Sequence, residues 1–98
     1  MSETSDSALK GEELHQQLGK LEGWTLADEQ RLEKEYKFPD FREALAYVNR
    51  LGEVAEREGH HPDIFLTWGR VKVTLSTHSA GGITAKDFAL AAEADGVR

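Results

Sequence analysis

Three of the four histidines in this chain stand at the ends of two β-like runs, where imidazoles can be set against one another. His60 and His61 follow Gly59 and precede Pro62, and His78 follows the run Val71–Thr77. An imidazole titrates near neutral pH and can give or take a proton there, so a cluster of them suits general acid and base catalysis. Three neutral imidazoles would also suit a catalytic zinc ion, but the spacing offers no clear acidic second shell, and no metal is expected. His15, on the polar side of a helical stretch, has no such company and reads as surface.

What has to position these rings is a hairpin. The runs Ile64–Trp68 and Val71–Thr77 are separated by Gly69 and Arg70, and Gly at the first central position suits a type II′ turn. That turn sets Leu66 opposite Val73 and Ile64 opposite Leu75. Continued outward, it sets His61 opposite His78, with Cβ atoms roughly 5 Å apart. Lys72, Thr74, Ser76 and His78 then share the more polar face, while Val71, Val73 and Leu75 point the other way. His60 falls on the wrong side of a regular strand and needs irregular backbone. Pro62 supplies it by removing an amide donor and holding His61 out of the α region.

The rest of the chain alternates helical and strand-like patterning. Leu14, Leu18 and Leu21 recur at helical spacing within 8–21, with Glu12 and Glu13 in the first turn. Trp24–Leu26 and Leu32–Phe38 read as a second hairpin, with Lys34 an anomaly on the apolar face. Asp40 and Glu43 form a capping-box-like start to a helix whose apolar positions are Phe41, Ala44, Leu45, Val48, Leu51 and Ala55. Thr84 and Asp87 cap a last helix holding Phe88, Leu90, Ala91 and Ala92 and stopping at Gly96. The order α-β-β-α-β-β-α predicts an α+β fold: one four-stranded antiparallel sheet with three helices packed on one face.

Composition bounds the partners. The chain has 98 residues, enough for one core without staples, and reads as a single domain over 8–98 behind a polar, disordered tail over 1–7. A net charge of −6 opposes phosphate-backbone binding, so nucleic acid is not an expected direct partner. With no cysteine there is no thiolate chemistry, which suits the cytoplasm, and no apolar stretch is long enough to span a bilayer.

Glu56-Arg-Glu-Gly-His60-His61-Pro62, then Trp68, then Leu75-Ser76-Thr77-His78, and the approach from Gly81 to Asp87 closely resemble the pterin-4a-carbinolamine dehydratases. The likeness extends upstream to Gly23-Trp24 and to Phe38–Phe41, leaving out little but the tail. It implies dehydration of a 4a-hydroxytetrahydropterin to the quinonoid dihydropterin, in tetrahydropterin recycling for aromatic amino acid hydroxylases, with no cofactor. Carried over by position, His60 and His78 resemble the acid/base pair and His61 a substrate-orienting group. Glu56, Gly59, Pro62, Ser76, Thr77 and Ser79 resemble the residues around the substrate. Trp24 and Trp68 could flank a flat pterin or fill a core or interface. Asp87 matches an acidic position of the family, but its capping role is the preferred reading, and it stays outside the catalytic set. The chain departs from several relatives at Ser79-Ala80-Gly81-Gly82, where they carry an acidic residue and a cysteine. The resemblance also implies a homodimer or homotetramer. Its alternative is a non-catalytic binding, assembly or transcriptional dimerisation role on the same fold.

Overall fold

The computed structural model describes residues 7–98, so the tail expected over 1–7 lies outside the described residues except for Ser7. Helix α1 spans Gly11–Leu18, strands β1 and β2 span Thr25–Ala27 and Arg31–Lys37, and helix α2 spans Phe41–Glu58. Strands β3 and β4 span Asp63–Thr67 and Arg70–Leu75, a 3-10 turn follows at His78–Ala80, and helix α3 spans Ala85–Gly96. All strand pairs are antiparallel, in the order β1-β2-β4-β3. The fold is the expected one, three helices and a four-stranded antiparallel sheet.

The sheet's covered face follows from alternation. Leu32 and Tyr36 on β2 and Val71, Val73 and Leu75 on β4 are buried. Against them pack Leu14 of α1, Ala44, Tyr47, Leu51 and Val54 of α2, and Phe88, Leu90, Ala91 and Ala94 of α3. Lys34 shares that face and is accommodated by polar partners. Its Nζ donates to Asp95 Oδ1 and to the Glu22 carbonyl, each at 2.8 Å, and lies 4.9 Å from the Tyr36 ring centre. The Tyr36 hydroxyl and the Trp24 indole N–H also donate to Asp95, so one carboxylate ties the end of α3 to the first hairpin.

The apolar stripe of α2 is rotated from the one expected. Phe41 and Leu45 are exposed, at 43% and 41%, whereas Tyr47 and Val54 are buried. Tyr47 wins the inward position because its ring packs against Tyr36 and Phe38 and its hydroxyl reaches the Ala94 carbonyl at 3.0 Å. Helix α1 is shorter than the leucine spacing suggested, with Leu14 its buried residue. Trp24 lies before β1, buried.

The second hairpin has a different register from the one expected. Thr67 pairs with Arg70, Ile64 with Val73 and Asp63 with Thr74, so the turn residues are Trp68 and Gly69 rather than Gly69 and Arg70. Gly69 is required there by close approach: a Cβ would sit 3.0 Å from the Phe38 carbonyl oxygen, and the Gly69 carbonyl accepts the Phe38 N–H at 2.8 Å. Each partner moves by two residues, which leaves every side chain on its expected face. The ladder stops short of the histidines, however. β4 ends at Leu75 and β3 begins at Asp63, so His61 and His78 are not a cross-strand pair.

Candidate active site

The three histidines are delivered by three local devices. Asp40 accepts the Glu43 N–H at 2.8 Å to start α2, and the helix ends on Gly59, whose φ of 67° turns the chain left-handed. The Gly59 and His60 N–H groups both donate to the Ala55 carbonyl, and this hook throws His60 out of the helix axis just before Pro62. Beyond β4, Thr77 and Gly82 close an isolated bridge around the 3-10 turn that begins with His78. Finally, Thr84 caps α3 in a capping box with Asp87.

That capping box is where the site is joined. Asp87 Oδ2 accepts the Thr84 N–H at 2.9 Å and the Thr77 hydroxyl at 2.7 Å, while Asp87 Oδ1 lies 2.5 Å from His60 Nε2. Asp87 is fully buried and the His60 side chain is 16% exposed. The carboxylate thereby ties His60 to Thr77, the residue that precedes His78. Capping uses one of its oxygens, and the other orients an imidazole. In sequence, capping is the preferred reading of Asp87 over an acidic position of the site; the structure adds that its second oxygen faces His60.

The remaining predicted residues fall around this core. His61 Nε2 lies 2.6 Å from Glu56 Oε2, both side chains being well exposed, which pairs His61 with the last turns of α2. His78 and Ser79 are exposed on the 3-10 turn, Ser76 is half-buried, and Pro62 is half-buried beside the exposed Gly59. Thr77 is buried, and its hydroxyl is committed to Asp87 and Thr84. Trp68 is exposed on the hairpin turn, and Trp24 is in the core. A cavity of about 780 Å³ opens near the far end of the same turn, lined by Ala80, Gly81, Asp28 and Leu9 among others, and none of the three histidines lines it. Among the described residues, no three His, Asp or Glu side chains converge as metal ligands. Chemically, the arrangement offers one carboxylate-held imidazole, one exposed imidazole tied by Asp87 and Thr77 to the first, and a third paired with Glu56.

The family model for pterin 4 alpha carbinolamine dehydratase matches residues 7–97. The chain belongs to that family. A pterin carbinolamine dehydratase relative from Rubrobacter xylanophilus, provisionally so named, is 49% identical over 87 residues, covering 89% of this chain and 81% of the relative. One from Trichormus variabilis, named in the same provisional way, is 55% identical over 80 residues, covering 82% and 85%. Among solved structures, a transcriptional coactivator/pterin dehydratase from Brucella melitensis superposes with a TM-score of 0.88 at 33% identity, covering 93% of this chain and 98% of that one. A pterin dehydratase-like protein identified as a RuBisCO assembly factor of the alpha-carboxysome gives 0.65 at 25% identity, covering 76% and 88%.

Proposed function

We propose that this chain dehydrates a 4a-hydroxytetrahydropterin to the quinonoid dihydropterin, with His60, His61 and His78 as the catalytic group. The observation that carries this reading is the His60 imidazole held on buried Asp87, a ring fixed at one nitrogen with the other unbonded among the described residues. The reaction breaks the C4a–O bond and forms the C4a=N5 double bond. The hydroxyl departs with a proton as water, and N5 loses a proton, so one acid and one base suffice. His60 and His78 serve as that pair. His61, backed by Glu56, orients the pterin, with Gly59, Pro62, Ser76 and Ser79 around it. Thr77 acts through Asp87.

The same reading puts the protein in tetrahydropterin recycling beside an aromatic amino acid hydroxylase, in the cytoplasm and as a homodimer or homotetramer. The open edge of β3 and the exposed Phe41 and Leu45 support self-association. Among the described residues no helix is long and apolar enough to cross a membrane.

A second reading is a binding or assembly role, favoured by the likeness to a RuBisCO assembly factor. The retained histidines favour catalysis. Purified chain added to freshly generated 4a-hydroxytetrahydropterin separates the two. Quinonoid dihydropterin forming well above the spontaneous rate supports the dehydratase, and formation at the spontaneous rate leaves the binding role.

A further inference from the structure

The two oxygens of Asp87 have unequal surroundings, and the hydroxyl directions behind them are fixed by counting protons. Thr77 has a single hydroxyl proton, which it donates to Asp87 Oδ2 at 2.7 Å. Its 2.9 Å contact with Thr84 Oγ1 must then use the Thr84 proton. Thr84 is free to give it, because its oxygen accepts the Lys86 N–H at 3.2 Å. The chain therefore runs one way, from the start of α3 through Thr84 and Thr77 to the carboxylate. All of its side chains are buried, Thr77 at 7% exposure and Thr84 and Asp87 at 0%. Oδ2 also takes the Thr84 N–H, so both donors converge on one oxygen and leave Oδ1 for His60 Nε2.

We propose that Thr77 is a positioning residue for His60. By holding Oδ2, it prevents rotation of the carboxylate, so that Oδ1 accepts a proton-bearing Nε2 and Nδ1 is the atom that exchanges a proton in the reaction. The backbone of Thr77 also bonds Gly82 in both directions, at 2.8 and 3.3 Å, and so anchors the turn that begins with His78. One buried threonine thereby supports both members of the acid/base pair. The kinetic half of this inference rests on the dehydratase reading, whereas the tautomer it sets belongs to the chain alone.

The experiment compares full-length wild type, Thr77→Val and Thr77→Ser by imidazole ¹⁵N NMR and by steady-state dehydration of 4a-hydroxytetrahydropterin. His60 signals are assigned by their loss in His60→Gln. In the wild type, His60 carries its proton on Nε2. Thr77→Val mixes the tautomers and lowers kcat by about 10- to 100-fold, with KM little changed, and Thr77→Ser restores both. An Nδ1-protonated His60 in the wild type overturns the proposal. So does a Thr77→Val protein that keeps either the wild-type tautomer or the wild-type kcat, or a Thr77→Ser protein that fails to recover. Thr77→Ala supplies the same comparison should Thr77→Val not fold. A wild type without activity overturns the dehydratase reading, and the NMR comparison still decides the role of Thr77.

Discussion

His60 and Asp87 are 27 residues apart in the chain, yet His60 Nε2 and Asp87 Oδ1 are 2.5 Å apart. The contact joins the end of one helix to the start of another. It depends on Gly59 releasing the chain from α2 and on Thr84 starting α3.

Asp87→Asn tests what the charge contributes. The amide oxygen can still accept from Thr84 N–H and Thr77, but the NH₂ then faces His60 Nε2, which must become an acceptor. We expect kcat to fall about 10- to 100-fold, with a stability loss of about 1–3 kcal/mol for the weakened buried network. Steady-state kinetics and urea denaturation measure the two effects, and an unchanged kcat would show that the contact is structural only.

Gly59→Ala and Gly52→Ala should move stability in opposite directions. A Cβ meets nothing within 4 Å at either site, so backbone conformation alone decides. At Gly59 the φ of 67° makes a side chain cost about 1 kcal/mol. Within α2, Gly52→Ala should add about 0.5–1 kcal/mol. Denaturant midpoints with unchanged m-values would establish both signs.

The rotated face of α2 separates two leucines that look alike in sequence. Leu51 is fully buried and Leu45 is 41% exposed. Leu51→Ala should cost about 2–5 kcal/mol, and Leu45→Ala under about 1 kcal/mol in the monomer. Equal losses in thermal unfolding would restore the face first read from the sequence.

The two tyrosines predict an alkaline limit to stability. Burial pushes the Tyr47 phenol up to about 12, and burial together with its bond to Asp95 raises Tyr36 well above the usual tyrosine range. Folding thus favours the neutral phenols. The stability this represents is complete below the unfolded value of about 10 and is lost as pH rises from there through the folded value. Phenolate absorbance should stay absent from the native protein at about pH 10 to 11 and appear together with unfolding. Titration of both tyrosines at about pH 10 in the folded chain would contradict the burial argument.

Much of this architecture was legible in local signals. Asp40 and Thr84 mark the starts of α2 and α3 because capping is a contact within one helical turn, and the β4 alternation marks the buried face. The Gly69–Arg70 turn differs from the observed one because what calls for glycine at 69 is the close approach of the Phe38 carbonyl oxygen, a neighbour distant in sequence. The inward place of Tyr47 on α2 has no local signal for the same reason, since its bond to Ala94 exists only after α3 docks. At the candidate site, residue type and motif single out the three histidines, but the route joining His60 to the His78 turn leaves no local signal. It runs through Asp87, whose local role in the cap concealed its distant one.

The central claim is tested most directly by dehydration kinetics of the wild type beside His60→Ala, His61→Ala and His78→Ala, all on 4a-hydroxytetrahydropterin. We expect kcat to fall about 10²- to 10⁴-fold in His60→Ala and His78→Ala, and His61→Ala to act chiefly on KM. Wild-type rates in all three variants would contradict the assignment of catalysis to these histidines.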